Sequence, residues 1–194
     1  MGTRALRTPL TMAVLSLLHE EPRHPYQMQT LLRERHVGST VKLRGGSLYD
    51  AVARLEKAGL VRAVETVRPG ARPERTVYEI TPAGRELMGE LVREYLGTVA
   101  REFPVFPAGL AHILDVPSAE AADLLRRRVG ALRAEFDDVA ARLEELRELP
   151  RVVLLEVEYT QRLRRTEIEW IESVVRDIET GELAWLDTPS PRDP

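Results

Sequence analysis

The chain has 194 residues, 43% of them apolar and 30% charged, which suits one or two globular domains with a buried core. It has no cysteine, which excludes disulfides and thiolate metal sites, and no apolar run near the ~18 residues a membrane span needs. Its net charge of −3 is unevenly spread: residues 1–80 hold 13 Lys/Arg against 8 Asp/Glu (net +5), the remainder 15 against 23 (net −8).

Thr8-Pro9 predicts a helix start, with a hydroxyl N-cap and proline at the first helical position. Leu10, Val14, Leu17 and Leu18 make its apolar stripe, which ends near Glu20-Glu21-Pro22. A second helix is expected from Pro25, after a polar cap at His24, with Tyr26, Met28, Leu31 and Leu32 inward and an end near His36-Val37-Gly38. Both are too short to be stable alone. The third begins in a basic, glycine-loosened stretch, Lys42-Leu-Arg-Gly-Gly-Ser47. Leu48, Val52 and Leu55 share one face, Ser47, Asp50, Arg54 and Lys57 the opposite one, and Gly59 marks a left-handed C-cap.

Leu60, Val61, Val64 and Val67, then Val77, Tyr78 and Ile80, supply two strands. Arg68-Pro-Gly-Ala-Arg-Pro73 between them is too long, and too rich in proline, for a two-residue hairpin. A projecting loop with Arg68, Arg72 and Arg75 is expected instead. Helix, strand, basic loop, strand is the order of a winged helix. Thr81-Pro82 repeats the helix start, and Leu87, Met88, Leu91, Val92, Tyr95, Leu96 and Val99 continue an amphipathic helix to about Arg101. Phe103-Pro-Val-Phe-Pro107 breaks it, and a short apolar helix is expected at 109–114.

Leu125, Val129, Leu132, Phe136, Val139, Leu143 and Leu146 step alternately by four and three, an unbroken heptad seam. Ser118, with Glu120 in the first turn, starts that helix. Pro150 ends it, and a last helix runs from about Arg151 to Glu179 with Val152, Leu155, Tyr159, Leu163, Trp170, Val174 and Ile178 as its apolar positions. The short connection makes the pair an antiparallel hairpin. A seam this long would overhang a small winged-helix domain, so pairing with a second chain is favoured over packing onto the front domain. The expected organisation is a winged helix-turn-helix domain at 1–101, a helical dimerisation or effector domain at 102–180 and a disordered tail at 181–194. The fold class is mainly α with a small β-wing.

Gly46-Ser-Leu-Tyr-Asp-Ala-Val-Ala-Arg-Leu-Glu-Lys-Ala-Gly-Leu-Val61, followed by Tyr78-Glu-Ile-Thr-Pro-Ala-Gly-Arg-Glu-Leu87, resembles the PadR family of bacterial transcriptional regulators. The last helix, with Glu156, Tyr159, Glu167, Glu169 and Trp170-Ile171, resembles the C-terminal domain of the longer-tailed subgroup. The resemblance covers about residues 5–180. It implies a homodimeric repressor with one winged helix per subunit, often released from DNA by a phenolic acid or drug-like aromatic. Two positions depart from the family pattern: Asp50 stands where proline often follows Ser-Leu-Tyr, and Pro25-Tyr26 replaces a frequent Gly-Tyr.

On this reading Lys42 and Arg44 neutralise phosphates, and the N–H groups near Gly46 and Ser47 offer a helix N-terminus to another. Ser47, Tyr49 and Arg54 meet bases or groove edges, with phosphate anchoring the alternative for Tyr49, while Arg68, Arg72 and Arg75 belong to the wing. Phe103, Phe106, Trp170 and Trp185 are the candidates for an aromatic effector pocket between the domains, and core packing is the alternative for each. Expected partners are double-stranded DNA, a second copy of the chain and a small aromatic effector, without membrane or cofactor.

His19, His24, His36 and His112 show no ligand spacing, and there is no P-loop, dinucleotide fingerprint or serine elbow. Glu167 and Glu169 lie on different helix faces. No enzyme is expected. Met-Gly-Thr-Arg-Ala-Leu6 lacks a signal-peptide core and a myristoylation match, which leads to the expectation of a soluble cytoplasmic protein. The rival reading is a protein-interaction scaffold built on the winged helix and the coiled coil.

Overall fold

The Thr8 hydroxyl accepts the Thr11 N–H at 3.1 Å and Pro9 takes the first helical position, so α1 (Pro9–Glu20) begins as its sequence requires. This computed structural model describes residues 3–35, 46–67 and 75–186. They divide between two compact units, Met1–Arg101 and Glu102–Pro194.

In the first unit α1 buries Val14, Leu15, Leu17 and Leu18. α2 (Pro25–Glu34) carries a full capping box: His24 Nδ1 accepts from Tyr26 N–H, and the Gln27 side chain accepts from His24 N–H, both at 3.0 Å. Met28 and Leu32 go inward, but Tyr26 is 60% exposed, contrary to its expected inward placement. It lies two residues, some 200° around the helix, from Met28. α2 also ends earlier than expected, at Glu34, with the Arg35 N–H on Leu31 O at 2.9 Å.

α3 (Ser47–Lys57) buries Leu48, Ala51, Val52 and Leu55 against α1. Gly59 has φ +71°, the left-handed conformation expected at the end of this helix. β1 (Val61–Val67) and β2 (Arg75–Ile80) pair antiparallel, with a bulge at Ala63–Glu65 that leaves Val64 without a partner. A short third strand, missed in the sequence, completes the sheet: Arg23 exchanges both backbone hydrogen bonds with Tyr78, each at 3.0 Å.

α4 (Pro82–Gly97) starts on Thr81, whose hydroxyl accepts from Gly84 N–H and donates to Gly59 O at 2.8 Å. It stops at Gly97 rather than Arg101, because Thr98 turns extended.

In the second unit Phe103–Pro107 does not break the chain throughout, for α5 (Val105–Leu110) includes Phe106 and Pro107. Pro107 sits in the first turn, where an N–H has no helical partner to lose. The predicted helix at 109–114 is therefore shifted, with a 3-10 turn at Ile113–Asp115 following. α6 (Ser118–Glu145) and α7 (Arg151–Thr180) form the antiparallel hairpin. Pro117 rather than Ser118 is the N-cap of α6, and it makes no side-chain hydrogen bond. Ion pairs cross the hairpin between Arg126 and Glu179, Arg128 and Glu167, Arg133 and Glu172, and Arg164 and Glu135. Exposed pairs of this kind contribute little each, and here they mark the antiparallel register.

The heptad seam of α6, expected to be a dimer face, meets α7 of its own chain over its first half. Leu125 and Val129 are buried with Leu132 and Phe136 beside them, against Ile168, Ile171 and Val175. Val139 and Leu143 are half-buried and Leu146 is exposed. The inward row of α7 also differs from the expected one. It runs Leu154, Val157, Gln161, Arg164, Ile168, Ile171, Val175, Ile178, stepping three and four throughout. Gln161 and Arg164 interrupt its apolar character, and Gln161 Nε2 donates to Phe136 O at 2.9 Å. Val152, Leu155, Tyr159, Leu163 and Trp170, expected inward, form a second row that is exposed.

The tail expected to be disordered from Gly181 onward is ordered at least to Leu186. Leu183 N–H donates to Asp177 O at 2.9 Å and the Trp185 indole to Val116 O at 3.2 Å. Residues 187–194 lie outside the described part.

Gly84 faces the backbone: a Cβ there would stand 2.1 Å from Leu60 O and 2.8 Å from Ile80 Cγ1. Gly84→Ala is expected to lower stability in chemical denaturation by about 3 kcal/mol, the upper end of overpacking costs. An unchanged midpoint would show that α4 can shift freely.

Candidate nucleic-acid interface

Burial of Leu48, Val52 and Leu55 leaves the rest of α3 outward. At 100° per residue the exposed face is centred on Asp50, Ala53 and Lys57, with Tyr49 on one shoulder and Ser47 and Arg54 on the other. Tyr49 is 46% exposed. Arg54 is half-buried, and its Nε is shielded from solvent without a hydrogen-bond partner among the described residues. It is therefore a shoulder residue rather than a member of the fully polar face expected for it. Lys57, exposed in the last turn, was not among the DNA candidates, although it shares the polar face.

Gly46 (φ +81°) is the N-cap of α3 and itself offers no side chain to the first-turn N–H groups. Such donors, at the positive end of the helix dipole, suit an anion. Asp50 is exposed in the same turn, where the dipole favours a carboxylate. The structure thus brings Gly46, Ser47 and Tyr49 into one turn, with Arg54 beyond. Lys42, Arg44, Arg68 and Arg72 lie outside the described residues, and Arg75 is described only as the first backbone position of β2.

A polar network not evident in the sequence holds the parts of this unit to one another. Glu20, at the end of α1, accepts two hydrogen bonds from Arg35, at 2.5 and 2.9 Å, and one from Arg23 at 2.8 Å. Arg23 also donates through Nε to Leu17 O at 3.2 Å, while its backbone pairs with β2. On β2, the Tyr78 hydroxyl donates to Glu56 of α3 at 3.4 Å. Burial, then the neighbouring Glu56 carboxylate, holds the Tyr78 phenol above its usual range, keeping it a donor. Three helices and the sheet are joined through five side chains.

In the second unit the effector candidates do not form one pocket. Phe106 and Trp170 meet edge to face, with centroids 6.4 Å apart, and the Arg128 guanidinium lies 3.9 Å above the Phe106 ring. Trp185 is anchored separately on Val116 O, and Phe103 is 90% exposed. Among the described residues no cluster of His, Asp and Glu could hold a metal, and no helix is long and apolar enough to cross a membrane.

A helix-turn-helix with its third helix bare, a tethered two-stranded wing and a separate helical hairpin together define a winged-helix protein with a helical C-terminal unit. Residues 14–90 match the model of the transcriptional regulator PadR-like family. Bacillus subtilis PadR in complex with operator DNA superposes with a TM-score of 0.73 at 19% identity, over 86% of this chain and 97% of that one. The same protein in complex with p-coumaric acid gives 0.70 at 18%, over 88% and 99%. The Vibrio cholerae virulence activator AphA gives 0.66 at 19%, over 89% and 99%. No curated protein sequence matches. At such identities these structures show a shared fold.

Arg35, ahead of Arg23, holds the Glu20 carboxyl below its ordinary value of 4.5. A depressed folded value adds stability that is present above 4.5 and is lost as pH falls through the folded value. Glu20→Gln is therefore expected to lose less stability than the parent chain when denaturation is compared at pH 6 and below pH 4. Parallel losses would remove Glu20 as an acid-sensitive tether.

Proposed function

We propose that the chain is a sequence-specific DNA-binding repressor that acts as a homodimer on an inverted-repeat operator and is released by a small aromatic effector. The observation that carries the DNA reading is the exposed face of α3, which begins at a glycine N-cap and is tied through Glu56 to Tyr78 of the wing. Gly46, Ser47 and Tyr49 take the groove-facing role, Arg54 a groove-edge contact, and Lys42, Arg44, Arg68, Arg72 and Arg75 phosphate or minor-groove contacts. The +5 charge of residues 1–80 supports a polyanionic partner.

The homodimer rests on α7. One helix carrying two heptad-like rows, of which the outer one stays largely exposed among the described residues, suits pairing of that row with a second copy. Leu155, Tyr159 at 64% exposed, Leu163 and Trp170 at 45% would be covered. A two-fold dimer would read a two-fold operator. The effector reading is supported by the Phe106–Trp170 pair beneath Arg128, and no longer by Phe103 or Trp185.

Each phosphate contact steepens the salt dependence of binding by ~0.9 log units per log unit of salt. In gel shifts with the region upstream of its own gene, Lys42→Ala and Arg72→Ala are expected to weaken binding to all sequences and to flatten that slope by about one contact each. No shift at all would favour the scaffold reading. Light scattering should give twice 22.0 kDa for the parent chain and 22.0 kDa for Leu155→Glu/Tyr159→Glu. A double variant that stays dimeric would move the interface elsewhere.

A further inference from the structure

At the turn of the hairpin, where α6 ends and α7 begins, the chain encloses an open cavity of about 430 Å3, within the size range of small-molecule sites. Its apolar lining is aliphatic: Leu143 from α6, Leu149 from the connection and Leu154 from α7. No aromatic ring lines it, and neither Phe106 nor Trp170 borders it. Its rim is cationic, with Arg147, Arg151, Arg162 and Arg165 set around a single lining carboxylate, Glu158.

These charges are unbalanced in a particular way. Glu158 is shared, paired with Arg151 at 2.9 Å and with Arg162 at 2.7 Å, so one carboxylate serves two guanidinium groups. Arg147 turns to Glu144 and Glu148. Arg165 has no carboxylate within ion-pair reach among the described residues and lies 5.3 Å above the Phe136 ring. An anion in the cavity would supply Arg165 with a carboxylate and relieve Arg162 of sharing Glu158 with Arg151, and three leucines would line its apolar body. A guanidinium resting on a ring is less hydrated and pre-oriented for such a fork. Gln161, at the inner end, has its amide engaged by Phe136 O and Arg164, which keeps it from competing for the ligand.

We propose that the hairpin-tip cavity binds an aliphatic carboxylate, with the head group on Arg165 and Arg162 and the chain against Leu143, Leu149 and Leu154. The proposal is independent of DNA binding and of the aromatic effector, since it concerns other residues and an aliphatic ligand.

Calorimetric titration of the full chain with decanoate tests it. Saturable binding at one per chain is expected, with 1-decanol and inorganic sulfate each at least tenfold weaker and 3-phenylpropionate weaker than decanoate. Arg165→Met, which keeps the apolar stem, and Leu149→Asn, an exposed connection residue, should each weaken decanoate at least tenfold. Thermal melts identify a variant that has failed to fold, and the other then carries the test. Several results would overturn the proposal: no saturable binding, decanol or sulfate as tight as decanoate, or 3-phenylpropionate tighter. So would decanoate binding unchanged in the folded variants, or lost in Tyr159→Ala instead, which would put the ligand on the outer row of α7.

Discussion

The first unit depends on one buried stripe. Leu48, Val52 and Leu55 of α3 fill the space between Val14, Leu15, Leu17 and Leu18 of α1 and Met28 and Leu32 of α2. None of these helices has the length to persist alone, so the stripe supplies both stability and position. Its position decides which residues of α3 remain outside. Because the stripe lies near Leu48 and Leu55, Ser47 and Arg54 are drawn partly under the surface, while Asp50, Ala53 and Lys57 stand clear. The outward face is a consequence of core packing before it is anything else.

The second constraint is polar. Apolar packing alone would leave the sheet to slide relative to the helices. The Arg23–Tyr78 exchange fixes β2 against the segment that joins α1 to α2, and the Tyr78–Glu56 contact fixes it against α3. Glu20 gathers Arg23 and Arg35 and so links the ends of the first two helices. Directional bonds thus set the angle of the wing, which non-directional burial cannot do.

Much of this was legible in the sequence because it is written in local signals. Thr8-Pro9, Thr81-Pro82 and Gly59 act within one turn, and the stripe of α3 follows from spacing alone. Arg23 was not legible, because a single-residue strand has no alternation to read and its partner lies 55 positions away. The rows of α7 were legible only in part. Two apolar rows run along the helix one to two residues out of phase, and the row that packs inward is interrupted by Gln161 and Arg164, so the purely apolar but exposed row reads as the core. Hydrophobicity identifies surfaces that seek a partner, without saying whether the partner is the same chain. The site divides similarly: the helix could be found from its pattern, whereas the shoulder position of Arg54 needed the actual direction of burial.

The bulge in β1 has a consequence for solution behaviour. Arg23 covers β2 at Tyr78, and among the described residues the outer side of β1 is an open edge along its whole length. The bulge at Ala63–Glu65 breaks the regular ladder along that edge, and Arg62, ion-paired to Glu79, and Glu65 place charge beside it. An irregular, charged edge is a poor template for another strand. The sheet is therefore less open to edge-to-edge association than an even, apolar hairpin of the same length would be.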